Sequence, residues 1–160
     1  MIRIHANLFV GNTADCISQT PDLAVIHACK EPCHRNALGY KGNLPSDHPH
    51  YLVQEANNHL YLNMVDMDNE LAPHFTDPIM REAMTFIERN ITDRQVLVHC
   101  NQGWSRSPSI ALLYMARRGY IGNQSYSIAG TDFKRIYAPY NPGKGIAAYL
   151  DRNWEKLLTF

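Results

Sequence analysis

Short apolar runs separated by turn residues occupy the first 65 positions of the chain. Residues 8–10 are apolar and end at a Gly-Asn pair, which predicts a short strand. Residues 23–28 are mostly small or β-branched, which predicts a buried strand. Residues 51–53 and 60–65 flank Asn57-Asn58, a pair that tolerates left-handed backbone, so we predict a β-hairpin there.

Helical spacing replaces this pattern after about residue 75. Apolar residues recur at every fourth position from Ile79 to Ile91, and the preceding Thr76-Asp77-Pro78 predicts that a helix begins there. Residues 96–98 predict a short central strand. Residues 108–118 are apolar on nearly all sides and are followed by Gly119, which predicts a buried helix. Two further helices are predicted at residues 124–137 and 146–158.

Strands that alternate with helices are typical of a layered α/β fold. We therefore predict a central, mainly parallel sheet with helices on both faces. The chain has 160 residues, of which 45% are hydrophobic and 19% charged, so we expect a single domain over residues 1–160. Residues 32–49 are rich in glycine, proline and short polar side chains, which predicts a loop.

The net charge and the lengths of the apolar runs argue against certain classes of binding partner. Fifteen Lys and Arg are balanced by fifteen Asp and Glu, which argues against a nucleic-acid or acidic-lipid partner. The longest apolar run, residues 110–116, is far shorter than the ~20 residues that span a bilayer, and the first residues lack an apolar signal region. We expect a cytoplasmic monomer that binds no membrane.

Residues 98–108, Val-His-Cys-Asn-Gln-Gly-Trp-Ser-Arg-Ser-Pro, carry the most specific chemistry. Cys100 follows a predicted strand, and a predicted helix begins shortly after Arg106. A short loop in this position can direct successive backbone N–H groups at one centre, to which the helix N-terminus adds its dipole. Gly103 supplies backbone freedom, and the Arg106 guanidinium can hold two phosphate oxygens at once. The segment therefore predicts an anion-binding loop.

The same donors stabilise a thiolate, so we expect Cys100 to be a nucleophile. Attack on phosphorus would form a cysteinyl-phosphate, and Ser107 could hydrogen-bond the sulfur as it leaves. The predicted phosphoryl-binding residues are Asn101, Gln102, Gly103, Trp104, Ser105 and Arg106. Trp104 would either stack on an aryl phosphate at the rim or pack onto the loop. His99 is expected to be a buried hydrogen-bonding residue.

A proton donor is also needed for the leaving alcohol, and later a base for water. Asp66 and Asp68 follow the strand predicted to end at Val65, and they could overhang the loop if that strand neighbours residues 96–98. We favour Asp66 because it lies at the strand end. Asp68 remains the alternative.

His99-Cys100, five residues, then Arg106-Ser107 resembles the signature loop of protein tyrosine phosphatases, and the surrounding residues look most like the dual-specificity branch. Residues 8–11 are similar to that branch's opening strand, and residues 62–66 to the strand before its general-acid loop. Residues 139–150 look like its support segment, in which Asn141 would buttress the loop. The chain has no Trp-Pro-Asp loop and no phosphotyrosine-recognition insertion.

The resemblance implies a phosphatase that acts on phosphoproteins without a metal or cofactor, with Cys100, Arg106, Asp66 and Ser107 as catalytic residues. Phosphotyrosine, phosphoserine and phosphothreonine are the expected targets. Phosphoinositide and RNA 5′-phosphatases use the same loop, but Asn101, Gln102 and Trp104 supply no lysines for extra phosphates. A phosphate-binding module without turnover is the alternative from another class.

The remaining cysteines suggest two further hypotheses. Cys29 and Cys33, with His27 and His34 nearby, resemble a zinc-binding pair, but Pro32 between them and the lack of a distant second pair argue against a metal. Some phosphatases of this superfamily place a resolving cysteine beside the nucleophile. Cys29 follows a strand near that place, so a Cys29–Cys100 disulfide is a prediction from the resemblance.

Overall fold

Six strands form one mixed sheet in the computed structural model, which describes residues 1–17 and 22–160. The strands are β1 (Ile2–His5), β2 (Leu8–Gly11), β3 (Ala24–His27), β4 (Val53–Ala56), β5 (His59–Leu62) and β6 (Val96–His99). Their order is β1-β2-β6-β3-β5-β4. The four inner strands are parallel, and the two outer strands pair antiparallel. The prediction of a mainly parallel central sheet is confirmed.

Helices cover both faces of this sheet. They are α1 (Thr13–Ile17), α2 (Arg35–Leu38), α3 (Pro73–Asn90), α4 (Arg106–Arg117), α5 (Tyr126–Ile136) and α6 (Lys144–Leu157), and a wide turn, Lys30–His34, leads into α2. We call the face that packs against α3 and α4 the first face, and the face covered by α1 and the wide turn the second face. The predicted helical flanking is therefore present.

The first face holds most of the apolar core. Alternate residues of each strand point to one side of a sheet, which places Leu8, Val10, Val96 and Val98 together on this face. Helix α4 packs here and is buried throughout from Ser107 to Ala116. Because its apolar residues lie on all sides, it can be covered by the sheet and by neighbouring helices together.

The second face has a much smaller apolar cluster. Its buried members are Leu23, Val25 and Leu97, with Phe9 packed beside them. His27 and His99 follow at the same alternation and lie directly across from each other in the β3–β6 register. Polar side chains therefore replace apolar ones where these two strands end.

Several element boundaries differ from those predicted. Helix α3 begins earlier than predicted, at Pro73, where a proline occupies the first helical position. Thr76 therefore lies inside the helix and donates its hydroxyl to the Ala72 carbonyl at 3.0 Å. Helix α4 begins at Arg106, two residues early. Helix α1 was not predicted, although Asn12 accepts a hydrogen bond from Ala14 N at 2.8 Å and caps it.

The β4–β5 hairpin and two other elements also differ from the elements predicted from the sequence. The predicted hairpin is present, with Asn57 at φ 55°, but β5 ends at Leu62 instead of Val65. Strand β1 was not predicted, and α2 lies within the predicted loop of residues 32–49. Among the described residues, no helix is both long enough and apolar enough to cross a membrane.

Candidate active site

The loop from Cys100 to Ser105 joins β6 to α4 and is anchored from outside by its carbonyl groups. The Asn101 carbonyl accepts from Thr13 N at 3.3 Å, the Gly103 carbonyl from Tyr137 Oη at 2.9 Å, and the Trp104 carbonyl from Asn141 N at 2.9 Å. Carbonyl and amide groups of one peptide point in opposite directions. Outward carbonyls therefore turn amide N–H groups toward the inside of the 100–105 loop.

Gly103 adopts a backbone conformation that other residues rarely take. Its φ is +78°, and a Cβ added there would lie 3.0 Å from the Gly11 carbonyl oxygen. A side chain would therefore strain the backbone and push the 100–105 loop away from the end of β2. The observation explains why glycine is needed in this loop.

The Cys100 thiol lies at the inner side of the loop and is almost completely buried. Its Sγ accepts a hydrogen bond from Gly103 N at 3.3 Å and one from Ser107 Oγ at 3.2 Å. Ser107 is itself buried, and its hydroxyl also lies 3.3 Å from the Gly11 carbonyl. Two hydrogen-bond donors are therefore directed at the sulfur, where they can stabilise negative charge that develops during a reaction.

The Arg106 guanidinium is held beside the loop with part of its donor set unused. Its two terminal nitrogens donate to the Met64 carbonyl at 3.0 Å and to Asn101 Oδ1 at 2.7 Å. Its Nε is buried and has no hydrogen-bond partner among the described residues. A cationic side chain held in this orientation can donate hydrogen bonds to an oxyanion bound by the loop.

Asp66 reaches the 100–105 loop, although by a different route from the one expected. Strand β3 lies between β5 and β6, so the strand before Asp66 does not neighbour β6. Instead, residues 63–66 continue past the end of β5, where the Met64 carbonyl accepts from Lys30 N and from Arg106. Asp66 Oδ1 then accepts from Ser105 Oγ at 3.0 Å, and Oδ2 lies 3.7 Å from Arg106 Nε.

These groups line one open cavity of about 420 Å³. Its lining residues are Asp66, Cys100, Asn101, Gln102, Trp104, Ser105, Arg106, Asn141 and Gly143. Asp68 is exposed and does not line it. Trp104 is 51% exposed, so it stands at the rim and is not packed onto the loop. A cysteine, an arginine and a carboxylate therefore face a space that a phosphate ester could enter.

The fold of the whole chain is similar to that of several solved structures. One similar structure is that of DUSP15, with a TM-score of 0.67 and 19% identity over 99% of this chain and 92% of that one. Human DUSP28 gives a TM-score of 0.65 and 18% identity over 98% and 93% of the two chains. The fold is that of the dual-specificity phosphatases. This confirms the fold expected from the sequence resemblance.

A third similar structure with this fold is PTPMT1 in complex with PI(5)P, with a TM-score of 0.62 and 15% identity over 98% of this chain and 96% of that one. No family model matches the sequence, and no curated protein matches it either. The similarity to these solved structures is therefore one of fold.

The sequence resemblance implied a supporting role for Asn141, but it did not indicate the contacts that Ser105 and Gly143 make with Asp66. Ser105 links Asp66 to the following segment, because its Oγ also accepts from Gly143 N at 2.9 Å. A Cβ at Gly143 would collide with Asp66 Oδ1. Asn141 supports the loop through its backbone amide, as noted above. The Asn-Pro-Gly sequence at 141–143 was the available signal, since these residues favour a tight change of direction.

His99 and Cys29, for which the sequence also suggested roles, lie beside this site on the second face of the sheet. His99 is fully buried, with Nε2 2.7 Å from His27 Nδ1. The Cys29 sulfur lies within 4.8 Å of the Cys33 sulfur, whereas the Cys100 sulfur is contacted by Gly103 and Ser107. No disulfide joins the four cysteines, all of which lie in the described part of the chain. The Cys29–Cys100 disulfide stays a prediction.

Proposed function

We propose that the chain is a cysteine-dependent phosphatase that hydrolyses phosphate monoesters. The observation that carries this proposal is the Cys100 sulfur, which accepts hydrogen bonds from Gly103 N and Ser107 Oγ and lines the same cavity as Arg106. This combination places a nucleophile and a cationic group that can donate hydrogen bonds to an oxyanion at one cavity. The dual-specificity phosphatase fold supports the same reaction class.

In the first step, the Cys100 thiolate attacks phosphorus, and an S–P bond forms as the P–O bond to the substrate alcohol breaks. The loop amides and Arg106 bind the equatorial oxygens. Asp66, which lines the same cavity, gives its proton to the leaving oxygen. Ser105 orients the Asp66 carboxyl through its 3.0 Å hydrogen bond.

In the second step, water attacks the phosphocysteine, and the S–P bond breaks. The Asp66 carboxylate takes the proton from water, and inorganic phosphate forms. The sulfur leaves as a thiolate, which Ser107 stabilises by donating its hydroxyl hydrogen. No metal or organic cofactor takes part in either step.

Phosphotyrosine, phosphoserine and phosphothreonine in proteins are the substrates that we propose. The exposed indole of Trp104 at the rim can stack on an aryl phosphate. A phosphoinositide is the second candidate, because PTPMT1 in complex with PI(5)P has the same fold. The cavity lining favours phosphoproteins, since it contains one cation, Arg106, and that cation is used by the reacting phosphate. A cytoplasmic, monomeric enzyme that binds phosphoproteins completes this proposal.

The test compares the wild type with Cys100→Ser on p-nitrophenyl phosphate. We expect turnover by the wild type and a loss on the order of 10⁴-fold or more in the variant, because serine is a far weaker nucleophile here. Cys100→Ser should still bind a phosphotyrosine peptide, which shows that the loop is folded. A wild type that binds the peptide but does not turn it over would instead indicate a phosphate-binding module.

A substrate panel then separates the candidate classes. It should contain peptides phosphorylated on tyrosine, serine or threonine, together with inositol phosphates and 5′-triphosphorylated RNA. We expect the largest kcat/KM for the phosphotyrosine peptide. A larger value for inositol phosphates would replace the phosphoprotein proposal while leaving the reaction class intact.

A further inference from the structure

Three thiols and two imidazoles meet on the second face of the sheet, beside the proposed active site. Cys16 comes from α1, His27 ends β3, and Cys29 and Cys33 lie at the wide turn that follows. His99 ends β6 and pairs with His27 in the strand register. We call these five residues the thiol–imidazole cluster. They come from four different elements of the fold.

The possible ligand atoms of this cluster are close together. Those of Cys29, Cys33 and His99 all lie within 4.8 Å of one another, and so do those of Cys16, His27 and His99. His99 belongs to both groups and therefore links them. Small adjustments would bring such atoms to the ~2.0–2.3 Å at which nitrogen and sulfur bind zinc.

His99 carries a buried ring nitrogen that needs a partner. The side chain is fully buried, and its Nδ1 has no hydrogen-bond partner among the described residues. Its other nitrogen, Nε2, lies 2.7 Å from His27 Nδ1, and His27 Nε2 lies 2.8 Å from His59 Nδ1. If each ring donates outward along this chain, the Nδ1 lone pair of His99 is left available. Metal-binding histidines are oriented in this way by their second nitrogen.

The donor atoms of the thiol–imidazole cluster suit a soft divalent cation. Thiolate sulfur and imidazole nitrogen are the ligands that zinc prefers in structural sites. Binding of the cation would displace the thiol protons. Three sulfurs and the ring of His99 are therefore available for one ion.

We propose that Cys16, Cys29, Cys33 and His99 bind one structural zinc ion. Three thiolates and one imidazole form a closed tetrahedral donor set, and the Cys29–Cys33 spacing falls within the range found in zinc sites. His27 positions His99 from behind. The sequence argued against a metal because no second ligand pair was visible. Residues distant in the chain supply that pair, because β3 and β6 are neighbours.

The zinc ion would stabilise a weakly packed part of the fold. Only Leu23, Val25, Leu97 and Phe9 form the apolar cluster on this face within the described residues, and α1 has five residues. Ligands from α1, the wide turn and β6 would tie these elements to the sheet. The site takes no part in the proposed reaction at Cys100, so the two proposals can fail separately.

Metal content and cobalt spectroscopy test the proposal. Full-length protein purified without chelator from zinc-supplemented medium should contain about one zinc per chain by mass spectrometry of the metal. After exchange, Co²⁺ should give an intense sulfur-to-metal charge-transfer band and the strong visible bands of tetrahedral geometry. Cys33→Ser should lose the bound metal, and His27→Ala should weaken binding about 10- to 100-fold. Cys100→Ser, the matched control, should keep full metal content.

Thiol protection provides a readout that does not depend on any variant folding. With zinc bound, Cys16, Cys29 and Cys33 should resist iodoacetamide in the wild type, and chelation should expose all three. Cys100 should react equally in both states. Wild-type protein that carries no zinc and gives no cobalt charge-transfer band would overturn the proposal. A Cys29–Cys33 disulfide in that protein, found by peptide mapping, would overturn it as well.

Discussion

Neighbouring residues at the end of β6 face different surroundings on the two sides of the sheet. Cys100 belongs to the large apolar cluster of the first face, next to α4. His99 is buried on the second face, where the apolar cluster is small and polar contacts with His27 take its place. The first face is therefore stabilised mainly by burial of apolar area, and the second mainly by specific polar contacts.

The comparison suggests a division of roles around the 100–105 loop. Residues on the cavity side, such as Asp66 and Ser107, can change the chemistry with little effect on packing. Substitutions of residues on the second face of the sheet can change the stability of the fold with little effect on the reacting groups.

Substitution of Asp66, which lines the cavity, and of Asp68, which does not, shows which carboxyl group transfers the proton. We expect Asp66→Asn to lower kcat/KM about 10²- to 10⁴-fold for phosphoserine peptides, whose alkoxide leaving group needs a proton. The loss should be much smaller with p-nitrophenyl phosphate, because its phenolate leaves readily. Asp68→Asn is the matched control and should change kcat/KM by less than about threefold. The reverse pattern would assign the proton transfer to Asp68.

Two fully buried leucines on strands compare the packing of the faces directly. Leu8 lies in the large cluster and Leu97 in the small one. We expect Leu8→Ala to lower the free energy of unfolding by about 3–5 kcal/mol, and Leu97→Ala by about 2–3 kcal/mol, because thinner packing relaxes more easily around a cavity. Urea denaturation measures both values. Equal losses would show that the second face is packed as tightly as the first.

Removing the hydroxyl that contacts the nucleophile should have a smaller effect. A hydrogen bond to a charged group contributes about 1.5–3 kcal/mol, so Ser107→Ala should slow turnover about 10- to 100-fold. The loss should fall on the second step, so a burst of p-nitrophenol should precede slow turnover. Ser109→Ala is the matched control, since this buried serine contacts Tyr140 instead of Cys100. An equal loss in both variants would indicate a general effect on α4.

The sequence predicted the parts of the site that are contiguous in the chain and missed those assembled by topology. Cys100 and Arg106 belong to one strand–loop–helix segment, so local spacing was enough to find them. Asp66 was chosen because it follows a strand, yet it reaches the loop by a crossing segment that sequence alone did not indicate. The sequence indicated Cys29 and Cys33 of the thiol–imidazole cluster as a pair. It did not indicate Cys16 and His99 as their neighbours, because these two residues meet only through the order of the strands.

Acidification should lower the stability of the second face by a small amount through His59. This residue is the last of three hydrogen-bonded imidazoles, His99, His27 and His59. Burial lowers the pKa of His59 below its ordinary value of 6.5, aided by the nearby His99, although Cys16 acts in the opposite direction. His27 contacts its ring at 2.8 Å, and Tyr61 stacks on it. The folded state therefore binds fewer protons than the unfolded state once the pH falls below about 6.5, so stability is lost on acidification.

His59→Gln should remove part of that loss. Thermal unfolding of the wild type and the variant at two pH values, one above 7 and one near 5.5, measures the difference in the pH dependence of Tm. We expect a smaller decrease of Tm in His59→Gln, whereas His74→Gln, which replaces an exposed imidazole on α3, should follow the wild type. If His59→Gln instead keeps the full decrease, the acid sensitivity arises elsewhere and the second face does not depend on this neutral imidazole.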